Sequence, residues 1–60
     1  MNDEIEYVQH IINDRILIEE QIDERGTLGF DIFVDGIYKG SRQEFNEAVT
    51  RANEVLKNEK

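Results

Sequence analysis

Residues 30–39 read Phe-Asp-Ile-Phe-Val-Asp-Gly-Ile-Tyr-Lys, and the fold turns on how this stretch is taken. Asp35-Gly36 lies between two runs rich in β-branched and aromatic residues. An Asp-Gly pair in that setting predicts a two-residue hairpin loop, because both central positions need positive φ and Asp and Gly reach it at low cost. Such a loop pairs Val34 with Ile37, Phe33 with Tyr38 and Ile32 with Lys39. Side chains alternate along a strand, so Leu28, Phe30, Ile32, Val34 and Ile37 share one face, and Asp31, Phe33, Asp35 and Tyr38 share the other.

On the upstream side, Arg15–Asp23 reads as a further strand. It carries Ile16, Ile18 and Ile22 on one side and Leu17, Glu19 and Gln21 on the other, and Glu24-Arg25-Gly26 turns it into the hairpin. Downstream, Ser41 to Lys60 reads as a helix. Ser41 and Glu44 have the S-x-x-E spacing of a capping box. Phe45, Ala48, Val49, Ala52, Val55 and Leu56 then recur at helical spacing as one apolar stripe. Glu47 and Arg51 stand at i,i+4 in the favourable order, and Lys57 and Lys60 suit the negative end of the helix dipole.

Residues 3–13 admit two readings. Ile5, Tyr7, Val8, Ile11 and Ile12 fall on one arc of a helical wheel, and Asp3 with Glu6 imitates a capping box, which favours a helix. The same stretch is rich in β-branched residues, and Asn13-Asp14 offers a turn into the next strand. The expected architecture is therefore a single α+β domain over residues 1–60. It has a three-stranded antiparallel sheet, a C-terminal helix on its Ile/Val/Phe face, and an extra N-terminal helix or strand.

Sixty residues bury only a marginal core, so a partner subunit is a natural stabiliser. With no cysteine, disulfides, thiolate metal sites and thiol nucleophiles are all excluded. No apolar run approaches the roughly 20 residues of a membrane span, and the acidic N-terminus lacks the basic region of a signal peptide. A cytoplasmic location is expected.

The formal charge of −7 is unevenly placed. Residues 1–35 carry ten acids (Asp3, Glu4, Glu6, Asp14, Glu19, Glu20, Asp23, Glu24, Asp31, Asp35) against Arg15 and Arg25, a net of −8. Residues 36–60 carry four acids against Lys39, Arg42, Arg51, Lys57 and Lys60, a net of +1. Such a field repels nucleic acid, whose binding proteins gain most of their affinity by neutralising phosphates. It attracts basic surfaces instead. Alternate strand residues stand roughly 6.6 Å apart on one face. Glu19, Glu20, Asp23 and Glu24 around their turn, with Asp31, Asp35 and the Asp3, Glu4, Glu6 group, thus present carboxylates at spacings comparable with successive phosphates.

Catalysis finds little support. His10 is the sole histidine and has no ligand spacing around it. Ser41 is accounted for by its capping role, with no base placed beside it by motif. Asp23 to Asp35 lacks the residue order of a calcium loop. No enzyme activity, cofactor or metal is expected. Leu17, Phe33 and Tyr38, on the sheet face away from the C-terminal helix, are candidates for a homodimer interface.

In its size, its lack of cysteine, its acidic runs Asp3-Glu4/Glu6 and Glu19-Glu20/Asp23-Glu24, and its sheet-plus-helix order, the chain resembles the small acidic proteins that bacteriophages make to disable host machinery. It is most similar in kind to the DNA-mimic inhibitor of the nucleoid protein HU from a Bacillus phage. The resemblance implies a homodimer that occupies the DNA-binding surface of HU, and it carries over no individual residue. A second class of function is a structural or assembly module whose apolar sheet face binds another chain while the acids only keep it soluble.

Overall fold

The computed structural model describes residues 4–59. Four strands, β1 (Glu6–Ile11), β2 (Ile16–Asp23), β3 (Gly26–Val34) and β4 (Ile37–Arg42), precede one helix, α1 (Phe45–Lys57). The strands form one antiparallel sheet in the order β1-β2-β3-β4, each paired with its sequence neighbour. The sheet thus has four strands, where three were expected.

The fourth strand comes from the ambiguous N-terminal stretch, and the helical reading of residues 3–13 is overturned. Asn13 decides the matter. Its Oδ1 accepts hydrogen bonds from the backbone N–H groups of Arg15 and Ile16 at 2.8 and 2.9 Å. This side-chain turn folds the chain back, and β1 then pairs with β2 from Glu6↔Ile22 to Ile11↔Leu17. Asp3, with its suggested capping role, lies outside the described residues, as does Lys60.

The Asp35-Gly36 hairpin forms as expected. Both residues take positive φ, 56° and 80°, and Val34 pairs with Ile37 and Phe33 with Tyr38. The predicted Ile32–Lys39 pair does not form, because Lys39 is an extra residue in β4 and Ile32 lies opposite Gly40. Gly40 takes φ 117°, a conformation open to glycine and costly for other residues, so this bulge rests on it.

A second shift lies between Gln21 and Ile22. Leu28 is the extra residue there, and Thr27 lies opposite Ile22 instead. Leu28 is consequently exposed and not part of the core face. Ile37, also expected on that face, is exposed on the outer strand.

The predicted capping box is absent. Ser41 and Arg42 continue β4, opposite Asp31 and Phe30, so the helix begins only at Phe45, with Glu44 as its N-cap and no side-chain cap. Pairing with β3 gives the Ser41 backbone a better outlet than a helix start would. Arg51 reaches Glu54 at 3.4 Å, not Glu47. Lys57 stands in the last turn, as the dipole argument required.

The core lies between α1 and one sheet face. Ile16, Ile18, Phe30, Ile32 and Val34 meet Ala48 and Ala52, with Phe45, Val49, Val55 and Leu56 packed around them. The two alanines are fully buried, and their small side chains let the helix lie close over Ile18 and Ile32. The helix packs chiefly over β3, with lesser contact to β4 and β2. From β1, His10 reaches under it, its ring meeting Phe45 edge-on at 5.1 Å. The opposite sheet face has no covering element among the described residues.

Candidate functional site: the uncovered sheet face

Strand register arranges the uncovered face in rows. One row crosses all four strands as Ile11, Leu17, Phe33 and Tyr38. Ile11 is 78% exposed and Tyr38 56%, and the rings of Phe33 and Tyr38 meet edge-on at 5.7 Å. Leu17, Phe33 and Tyr38, expected to share this face, do so. The missing member was Ile11, hidden by the helical reading of its segment.

The next row along runs Gln9, Glu19, Asp31 and Ser41. Glu19 and Asp31 are directly opposite one another, an arrangement that like charges disfavour. Their side-chain partners are neutral amides: Gln9 donates to Glu19, and Gln21 donates to Asp31. Neither carboxylate is among the described ion pairs.

The other candidate acids are dispersed. At the far end of the sheet, Glu4, Glu6, Asp23 and Glu24 line one shallow hollow with Ile22. Asp23 there also accepts a hydrogen bond from the Arg25 backbone at 2.8 Å, closing the β2–β3 turn. Glu20 points to the helix side instead. The Thr27 hydroxyl donates to one of its oxygens at 2.6 Å, and His10 Nε2 lies 2.9 Å from the other. These two bonds, the Thr27 bond foremost, hold its carboxyl below the ordinary range.

Asp35 is likewise engaged within the fold. Arg15 donates to both its oxygens, at 2.8 and 2.6 Å, and to Glu59 at 2.7 Å. The guanidinium depresses the Asp35 carboxyl, and the two acids raise Arg15 above its usual range. The nine candidate acids therefore form no single array. Glu19 and Asp31 share the uncovered face, Glu4, Glu6, Asp23 and Glu24 gather at one end, and Glu20 and Asp35 have partners inside the molecule. Asp3 lies outside the described residues.

Comparison with protein-family models, curated proteins and solved structures yields no match. The arrangement itself offers surface chemistry: an apolar row beside a pair of carboxylates, on a broad and shallow sheet. Among the described residues no group of His, Asp or Glu side chains is placed to hold a metal ion, and no helix is long and apolar enough to cross a membrane. Alternation had already set Leu17 beside Glu19 and Phe33 beside Asp31, and register adds Ile11 and Gln9 from β1 and Ser41 from β4 to the two rows.

Proposed function

We propose that this protein is a non-enzymatic binding protein that presents carboxylates to a basic surface of a partner protein, mimicking the charge of DNA. The observation behind the reading is the Glu19–Asp31 pair. Two like charges directly opposed on an uncovered face cost the isolated fold stability, and a cationic partner offsets that cost on binding. The Glu4, Glu6, Asp23, Glu24 end extends the same sign along the sheet. Suitable partners are nucleic-acid-binding proteins, whose basic surfaces already match an anionic ligand. Nucleoid protein HU in a bacterial cytoplasm is the example that the resemblance to phage inhibitors suggests.

Titration against purified HU at about 50 and 200 mM salt, with and without a competing DNA duplex, tests the proposal. Binding that weakens with salt and displaces DNA supports it. Absence of binding at the lower salt removes HU as the partner. Salt-independent binding removes charge mimicry.

A second reading is favoured by the apolar row. Ile11, Leu17, Phe33 and Tyr38 form an uninterrupted stripe of the kind that assembly modules use, and a second copy seated on it gives a homodimer through Leu17, Phe33 and Tyr38. Under this reading Phe33→Glu abolishes association, and salt has little effect.

A further inference from the structure

The two edges of the sheet differ. β4 is broken by the Lys39 bulge and the positive φ of Gly40, features that protect an edge against pairing. β1 has no bulge in its pairing with β2, and Glu6–Ile11 contains neither proline nor lysine. Exposed apolar side chains gather along it: Ile5, Tyr7, Val8, Ile11 and Ile12 are five of the eight large hydrophobics exposed among the described residues.

Its free hydrogen-bonding groups can be assigned. The Ile12 N–H donates to the carbonyl of Ile16, and the Asp35 N–H to the carbonyl of Arg15, at 3.0 and 2.8 Å. Antiparallel ladders alternate, so even-numbered residues of β1 bond to β2, odd-numbered residues of β2 bond to β3, and the two observations agree. The N–H and C=O groups of Tyr7, Gln9 and Ile11 therefore point outward from the edge. Ile5, just before the strand, continues the alternation.

We infer that β1 pairs antiparallel with β1 of a second copy, about a two-fold axis at Val8, to give a continuous eight-stranded sheet. This register puts outward-bonding residues opposite each other, Ile5 against Ile11 and Tyr7 against Gln9. Val8 meets its own counterpart. Charge selects the same orientation: Glu6 faces His10 of the second copy and Glu4 faces Ile12, whereas a parallel pairing stacks the acidic ends on one another. Both helices then lie on one side of the double sheet, and Ile5 of each copy extends the other's apolar row on the uncovered face. The inference is independent of the proposed partner.

Sedimentation equilibrium at micromolar concentration is expected to return twice the 7.1 kDa chain mass. Amide exchange by NMR is expected to show Tyr7, Gln9 and Ile11 protected along with the even-numbered amides. Two variants remove the pairing by different routes. Gln9→Pro deletes an outward N–H where a lone edge strand tolerates proline, and Val8→Lys places two cations together at the axis. Both are expected to return the mass to 7.1 kDa, with rapid exchange at Tyr7 and Ile11. Phe33→Glu is expected to leave the dimer intact. A monomeric parent overturns the inference, as does a dimer whose odd-numbered β1 amides exchange freely or one that Phe33→Glu dissociates.

Discussion

Glu19 and Asp31 stand directly opposite each other across β2 and β3, on the face the helix leaves open, with amide side chains as their hydrogen-bonding neighbours. Neutralising one of them tests stability and binding together. Asp31→Asn keeps the shape and removes the opposed charge, so the fold is expected to gain roughly 0.2–1 kcal/mol. The gain reads as a higher urea midpoint at unchanged slope. The same substitution is expected to weaken binding to a basic partner. If stability rises and affinity holds, the pair is no contact for that partner.

The Arg15 bridge ties the Asp35-Gly36 hairpin to the C-terminal end of the helix through Asp35 and Glu59. Asp35→Asn isolates its ionic part, because asparagine also tolerates the positive φ of this position. The hairpin is expected to persist while acid resistance falls away differently. Asp35 and Glu20 both have carboxyls held below their ordinary values of 3.8 and 4.5. Their contribution to stability is full above those values and is lost as pH falls through the depressed ones. Urea midpoints at pH 7, 4 and 3 are expected to fall less steeply in Asp35→Asn and Glu20→Gln than in the parent.

Thr27 gives Glu20 its foremost stabilising bond. Thr27→Val removes the hydroxyl and keeps a β-branched side chain in the strand. The Glu20 carboxyl is expected to titrate closer to its ordinary value, followed by the carboxyl carbon shift in NMR. An unchanged titration means that His10 alone holds it.

Gly40 takes φ 117° at the β4 bulge, with open space where a Cβ would stand. Gly40→Ala therefore probes backbone strain without a clash, and a loss of roughly 1–3 kcal/mol is expected. Loss of the Lys39 bulge is expected to accompany it, visible as altered cross-strand contacts between Ile32 and β4.

Ile32 is fully buried at the centre of the core. A chain of this length has roughly 3–9 kcal/mol of stability, and Ile32→Ala removes about 2–5 of it. Thermal denaturation is expected to show a midpoint well below the parent's for this variant, with Ile32→Val much closer to the parent.

Much of this architecture is legible in the chain because it is local. Asp35-Gly36 carries its own turn chemistry, and the Phe45–Leu56 stripe carries its own periodicity. What escaped depends on competition between distant segments. Ser41 and Glu44 have helix-start spacing, yet β3 claims the Ser41 backbone. Ile5, Tyr7, Val8, Ile11 and Ile12 suit a helical arc because an edge strand with two exposed faces shows little alternation. Gly40 and Gly29, isolated glycines in strand patterns, were the local signs of the two bulges, at Lys39 and Leu28. On the candidate face, alternation placed Leu17, Phe33 and Tyr38 together. Glu20 and Asp35 look as free as Glu19 in sequence, and only the partners Thr27, His10 and Arg15 separate them.

The order β1-β2-β3-β4 also has a kinetic consequence. Every strand closes onto its immediate predecessor, so no pairing waits for a long loop to close. Such a meander assembles by successive zippering, and its folding rate is expected to fall among the faster β-containing domains. Docking of the helix onto β2, β3 and β4, which buries Ala48 and Ala52, is expected to come last. In stopped-flow refolding, Ala48→Gly is accordingly expected to speed unfolding more than it slows folding.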